Sequence, residues 1–159
     1  MTDLDGGANP ALAALGAAGI EFTVTRHGRV SSLAEAAAAR GIDPAALLKT
    51  IVVRRADDDF LFVLVPGDRT ISWPKLRELL GVSRLSMPDA GTAREVTGYE
   101  RGTITPFGAL HAWPVIADAR VTGRVVSIGA GAHGVAATVD GDDLVRALAA
   151  TVADVTEPA

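Results

Sequence analysis

The feature that most constrains this chain is the uninterrupted apolar run Phe60-Leu61-Phe62-Val63-Leu64-Val65, preceded by Asp57-Asp58-Asp59 and by the β-branched segment 50–55. An apolar run without alternation suits a strand buried on both faces. The acidic triplet is turn chemistry between two strand-like segments, which are therefore expected to pair antiparallel as a hairpin. A strand covered on both faces needs a layer on either side, and the rest of the sequence must supply both.

The flanking segments read as an irregular succession of helices and strands. A helix is expected over 10–18, with Asn9 as its N-cap, Pro10 at its first position and Gly19 as its stop. Residues 20–25 alternate like a strand, and Ser32 and Glu35 have the spacing of a capping box opening an Ala-rich helix that ends at Gly41. Asp43-Pro44 restart a helical turn through Leu48, which places Lys49 at its junction with the strand 50–55. Ser72 caps a helix running to Leu80 before Gly81, a short strand follows at 84–87, and a further helix lies over 88–96 with Gly98 closing it. Residues 99–108 are irregular and long for a plain connection, which marks a functional loop. Strands are expected at 114–120, 125–128 and 135–139, then a helix over 141–150 capped by Asp140, then an edge strand at 152–155. No repeat or long linker interrupts the pattern. The expected fold is one α+β domain over residues 9–159, a mixed, partly rolled sheet surrounded by helices, with residues 1–8 as a tail.

Composition narrows the function classes. A chain of 159 residues has room for one sizeable core. It contains no cysteine, so disulfides, thiolate metal sites and cysteine nucleophiles are excluded. The net charge of −4 argues against an indiscriminate grip on nucleic acid, so any RNA contact must be local. Asp3 and Asp5 stand where a secretory signal would be basic, and the Ala-rich stretch 10–20 is too short to span a bilayer, so a soluble cytoplasmic protein is expected.

Several motifs compete for attention. Gly129-Ala130-Gly131-Ala132-His133-Gly134 has the spacing of a dinucleotide-binding loop, but the residues after it have β character instead of opening a helix. Such a loop either brings bare amides close to a ligand or makes a hairpin. His27, His111 and His133 lack metal-ligand spacing, and no metal site is expected. There is no nucleophile elbow and no phosphate loop. Asp118 and Asp140 read as strand-end or capping residues. Lys49 is better placed, between Leu47-Leu48 and Ile51-Val52-Val53. Its stem either lies along the core while its ammonium reaches water, or it holds a fixed charge at a pocket mouth. Arg54, Arg55, Arg94 and Arg101 are candidate phosphate contacts or plain surface charges.

Four segments together resemble the YbaK/EbsC and prolyl-tRNA-synthetase-associated family of trans-editing aminoacyl-tRNA deacylases. They are Leu48-Lys49-Thr50-Ile51-Val52-Val53, Val96-Thr97-Gly98-Tyr99 with Gly102-Thr103-Ile104-Thr105-Pro106-Phe107-Gly108, Pro114-Val115-Ile116-Ala117-Asp118, and Ser127-Ile128-Gly129 with its glycine loop. The resemblance implies a hydrolase acting on the ester of a mischarged tRNA without metal or organic cofactor. Its partners would be the acceptor end of tRNA and prolyl-tRNA synthetase, with no membrane. It maps the family lysine onto Lys49 and the Gly-x-x-x-Pro element onto Gly102 and Pro106. Lys49, Gly102 and Gly129 are then the catalytic set, and Thr50, Thr103, Pro106, Phe107, Gly108, Ile128 and Gly131 line the substrate site. Thr50 after the lysine looks closer to the branch acting on cysteine attached to tRNA(Pro) than to the alanyl branch. The chemistry is plausible on physical grounds, because an aminoacyl ester is already activated and needs orientation and oxyanion stabilisation more than a strong protein nucleophile. A catalytically silent module that binds aminoacyl-tRNA or an aminoacyl-adenosine-like ligand is the rival reading.

Overall fold

A ten-residue strand β2 (Leu47–Ala56) and an eight-residue strand β3 (Asp59–Pro66) form the expected antiparallel hairpin at the centre of the protein. The computed structural model describes residues 9–159, so the expected tail over residues 1–8 lies outside the described residues. The hairpin turns at Asp57 and Asp58, the latter at φ 55, a conformation that Asp tolerates better than most residues. Asp59 already belongs to β3, where its carboxylate accepts from Arg55 Nε at 3.0 Å.

Side-chain alternation divides β3 between two hydrophobic layers. Phe60, Phe62 and Leu64 join one cluster, and Leu61, Val63 and Val65 join the other. The first layer is closed by Leu12 and Leu15 of α1 (Pro10–Ala17), by Leu144 of α5 (Gly141–Leu148), and by Tyr99 and Phe107 of the irregular loop. The second is closed by Ile71 of β4 (Arg69–Ile71), Leu76 of α3 (Trp73–Leu80) and Val155.

Five further strands complete a seven-stranded sheet in the order β1-β7-β6-β2-β3-β5-β8, with β1 and β8 at its edges. They are β1 (Phe22–Arg26), β5 (Val115–Asp118), β6 (Val125–Gly129), β7 (Val135–Asp140) and β8 (Thr151–Ala153). The β2–β6, β3–β5 and β5–β8 pairs are parallel and the others antiparallel, so the sheet is mixed, as expected, and helices flank it. The remaining helices are α2 (Leu33–Arg40) and α4 (Ala90–Thr97). Asn9 caps α1 by accepting from the amides of Ala11 and Leu12, and Asp140 caps α5 by accepting from Asp142 and Asp143.

Several local expectations need correction. The turn at Asp43-Pro44 is a single 3-10 turn, Pro44–Ala46, and strand β2 begins at Leu47, so Lys49 lies within the strand and not at a junction. The expected strand at 84–87 is reduced to a single bridge between Ser86 and Arg54. The strand expected over 114–120 ends at Asp118, whose side chain caps a 3-10 turn, Ala119–Val121. Ser32 caps α2, but Glu35 reaches past it to the amide and hydroxyl of Ser31, so the box is not reciprocal. The strands β4 and β9 (Thr156–Pro158) form a separate two-stranded sheet that local periodicity does not reveal.

That small sheet is tied to the large one by a polar chain. The buried carboxylate of Asp118 accepts from Thr156 Oγ1 at 2.8 Å and Val155 N at 3.2 Å, and Arg120 bridges it to Asp154. Hydrogen bonds from Lys75, then from Arg120, hold the Asp154 carboxyl below its ordinary 3.8, at about 2. A carboxylate depressed in this way stabilises the fold above its unfolded value and ceases to do so as pH falls through the folded one. Thermal melts of the wild type and Asp154→Asn should therefore differ at neutral pH and converge as the pH is lowered from about 4 to about 2.

Candidate functional site

The strand β2 pairs with β3 along one edge from Leu48 to Ala56, with an irregularity between Arg54 and Ala56, and only partly on the other edge. It meets β6 through two register pairs, Leu47 with Ser127 and Leu48 with Ile128, before the two strands part. The next contact on that edge is at Arg54, whose N–H donates to Ser86 O at 2.7 Å and whose carbonyl accepts from Ser86 N at 3.1 Å. Peptide groups alternate in direction along a strand, so those of Thr50 and Val52 point the same way as those of Arg54. They face a cleft of about 670 Å³ opened by the parting of β2 and β6.

The cleft collects residues from distant parts of the chain. Leu47, Leu48, Lys49, Thr50, Ile51 and Val52 form its floor. Arg40 closes one end, Met87 to Ala90 with Ala93 form a wall, and Arg101, Gly102, Ile104 and Gly129 form the other wall. Of the predicted site, the structure thus brings together Lys49, Thr50, Gly102 and Gly129.

Gly102 and Gly129 are glycines for different reasons. Gly102 adopts φ +90, a conformation that L side chains rarely take, and sits in a loop braced by Tyr99 and Thr103. The Tyr99 hydroxyl donates to the Phe107 carbonyl at 2.6 Å, and burial pushes that phenol up to about 12. Thr103 Oγ1 donates to Glu100 O at 2.7 Å. Gly129 has no positive φ, and a Cβ built there would meet nothing nearer than Ile104 O at 3.9 Å. Its missing side chain leaves the cleft wall open.

The other predicted substrate contacts are not lining residues of this cleft. Phe107 and Ile128 are buried in the first hydrophobic layer, and Pro106 is half-buried in the loop. Gly108 packs so tightly that an added Cβ would lie 2.4 Å from Pro10 O. Thr103 and Gly131 border a separate hollow of about 370 Å³, together with Arg94 and His133. The glycine run 129–134 is the hairpin connection between antiparallel β6 and β7, with Gly134 O accepting from His27 N at 2.9 Å. It leads into a strand, as its β character indicated, and no helix N-terminus stands behind it. Among the described residues no cluster of metal-ligating side chains occurs.

The electrostatics of the cleft are cationic. Lys49 Nζ donates to Arg69 O at 2.6 Å, and burial lowers its pKa, partly offset by the charge of Asp68. This ammonium is held by a carbonyl, and its residue lines the same cleft as Gly102 and Gly129. Arg101 is exposed at the rim. The one carboxylate in the lining among the described residues, Asp89, is engaged as the N-cap of α4, and the amide of Thr92 holds it below the usual carboxylate value. Of the four arginines singled out in the sequence, Arg54 and Arg55 pair with Asp57 and Asp59.

Arg40 was not singled out, and it is a cleft residue. Its Nη1 donates to Ser127 Oγ at 3.3 Å, and its Nε is buried without a hydrogen-bond partner. In sequence it is indistinguishable from a cation placed at a helix C-terminus to complement the dipole. Only its contact with Ser127, 87 positions away, reveals its setting. Thr50 Oγ1 is likewise buried and unpartnered, so two polar atoms at the cleft lack protein partners.

With this geometry in hand, similarity to known proteins identifies the class. Residues 27–147 match the model of the aminoacyl-tRNA editing domain, and the chain belongs to that family. A proline–tRNA ligase of Heliobacterium modesticaldum is 38% identical over 94 residues, covering 58% of this chain and 16% of the ligase. One from Levilactobacillus brevis is 33% identical over 125 residues, covering 76% and 22%. The chain thus spans less than a quarter of the length of these ligases. Among solved structures, the hypothetical protein APE2540 superposes with a TM-score of 0.81 at 27% identity, covering 90% of this chain and 96% of that one. A candidate trans-editing enzyme for prolyl tRNA synthetase shares the fold, with a TM-score of 0.82 at 23% identity over 91% and 93% of the two chains.

The two cleft glycines make separable demands. Gly102→Ala should cost about 1–2 kcal/mol in chemical denaturation, the strain of a left-handed alanine. Gly129→Ala should leave stability within about 0.5 kcal/mol of wild type in the same measurement.

Proposed function

We propose that this protein is a trans-acting, cytoplasmic aminoacyl-tRNA deacylase that hydrolyses the ester of a mischarged tRNA, with a small amino acid such as cysteine on tRNA(Pro) as substrate. Water adds to the ester carbonyl, the bond to the ribose oxygen breaks, and the free amino acid and the tRNA hydroxyl leave. The observation that carries this reading is the convergence of Lys49, Thr50, Gly102 and Gly129 on one cleft. It is supported by membership of the editing-domain family and by the fold shared with a protein described as a candidate trans-editing enzyme.

Among the described residues the cleft lining contains no histidine or cysteine, and its one carboxylate is committed to a helix cap. Rate enhancement therefore comes from placing the ester and from electrostatic stabilisation of its developing oxyanion. Lys49 supplies fixed charge beside the open strand edge. Its bond to Arg69 occupies one of three donors and sets its direction. Thr50 and Val52 offer main-chain donors and acceptors to the aminoacyl group, and Gly102 and Gly129 leave room for it. Thr103, Pro106, Phe107, Gly108, Ile128 and Gly131 act as the frame that holds these walls. The editing domain extends over residues 9–159, beyond the matched span, because Leu12, Leu15 and Val155 belong to its core. Prolyl-tRNA synthetase is the partner that would deliver such a substrate.

The test is a deacylation panel over tRNA(Pro) carrying cysteine, alanine, serine or threonine, with and without prolyl-tRNA synthetase. Wild type should release one of the small amino acids well above the buffer rate. Lys49→Ala should lose about 100-fold or more in kcat/KM, and Gly129→Ala, folded as stably as wild type, should lose at least about 10-fold by crowding the ester. Binding of charged tRNA with no release above buffer by the wild type would establish the silent binding module instead.

A further inference from the structure

We propose that Arg40 and Lys49 form a two-cation clamp for a phosphodiester of the tRNA acceptor end, with Arg40 as a substrate-binding residue. The proposal rests on the deacylase reading for the identity of its ligand, and on the following geometry for its existence.

Arg40 is the last residue of α2, and Gly41 turns the chain away at φ 67. The side chain crosses to β6 and finds the hydroxyl of Ser127, a residue with no exposed surface. A neutral hydroxyl at 3.3 Å is weak compensation for a guanidinium, which stays charged and has five donors to satisfy. Its Nε is buried and unpartnered, and among the described residues no carboxylate forms an ion pair with it. Buried charges are normally paired, so a half-satisfied guanidinium lining a cleft is the signature of an anion that arrives from outside.

Lys49 lies on the same face. Ser127 is the register partner of Leu47, so their side chains share a side of the sheet, and Lys49, two residues along β2, shares it too. Both cations line the same cleft; among the described residues neither forms an ion pair, and the nearby charge of Asp68 only partly offsets the burial of Lys49. An anion entering this partly desolvated cleft would be attracted by both cations. The ligand chemistry follows from the substrate. In an aminoacyl-tRNA the amino acid's carboxyl is esterified, so the anion beside the reacting bond is a backbone phosphate. A planar guanidinium fork and a compact ammonium suit its non-bridging oxygens.

The experiment compares mischarged tRNA with the same amino acid esterified to adenosine, which lacks the phosphate, for wild type, Arg40→Gln and Arg40→Lys. On tRNA, Arg40→Gln should raise KM about 10-fold with kcat within about twofold, and should reduce the log–log salt slope by about one. Arg40→Lys should recover part of the loss, and on aminoacyl-adenosine both variants should match wild type. A loss of equal size on both substrates, or no loss on either with only a lower melting temperature, would mean that Arg40 is a structural tie to Ser127 and sink the clamp.

A second arm needs no catalysis. Calorimetric titration with an uncharged acceptor-stem minihelix should show binding weakened about 10-fold by Arg40→Gln. If that weakening occurs while no substrate is deacylated, the clamp stands and the deacylase reading fails. If wild type deacylates and Arg40→Gln binds the minihelix equally well, the reading stands and the clamp fails. Inorganic phosphate binding as tightly as the minihelix would assign the site to a free anion and overturn the tRNA assignment.

Discussion

The physical constraint on which this structure depends is the parting of β6 from β2 after two paired residues. A buried strand edge is costly unless its amides and carbonyls find partners. Here the edge is satisfied by β6 at Leu48 and by Ser86 at Arg54, and between them the chain leaves Thr50 and Val52 facing a cleft. The hairpin partner β3 can hold β2 straight across this gap because it is packed on both faces. Rigid floor and open edge therefore come from one strand pair.

The floor is also tied to the end of the chain. Lys49 Nζ bonds the Arg69 carbonyl, Arg69 Nε donates to Thr156 Oγ1 at 2.7 Å, and that hydroxyl donates to buried Asp118. Each link is an ordinary hydrogen bond, and together they connect the cleft to β4, β9 and the end of β5. The small sheet is thus part of the support for the cationic side chain, although none of its residues lines the cleft. Such supporting contacts are what keep a binding group within the narrow range of positions that catalysis or recognition requires.

Charge is distributed to match. The chain carries a net −4, yet among the described residues the cleft presents Arg40, Lys49 and Arg101 against Asp89 alone. Long-range attraction to a polyanion is weak at this net charge, and cations are gathered locally, in this cleft and in a second hollow lined by Arg54, Arg55, Arg77 and Arg84. On the proposed function, this charge distribution suits brief engagement of the end of an RNA more than a grip along its length.

The sequence by itself determined the central hairpin, most helix caps and the segments that meet in the cleft. These are local matters: the apolar run 60–65 dictates burial on both faces, Asn9 and Asp140 can satisfy helix amides wherever the helices lie, and a glycine run followed by β-branched residues cannot open a helix. Lys49 stood out as an isolated cation in an apolar strand, whereas Thr50, Gly102 and Gly129 were reached as site residues only through the family resemblance, and all four line the cleft. Tertiary structure alone decided the rest. Arg40 looks like an ordinary helix-end cation until Ser127 is beside it, the three-residue strands β4 and β9 exist only because they pair across the chain, and Phe107 and Ile128 were drawn into the core by contacts that no local pattern encodes. The direction of the Lys49 ammonium belongs to the same class. It is set by a carbonyl 20 residues away, and hydrogen bonds of that kind are chosen by the fold after the strands have found their register.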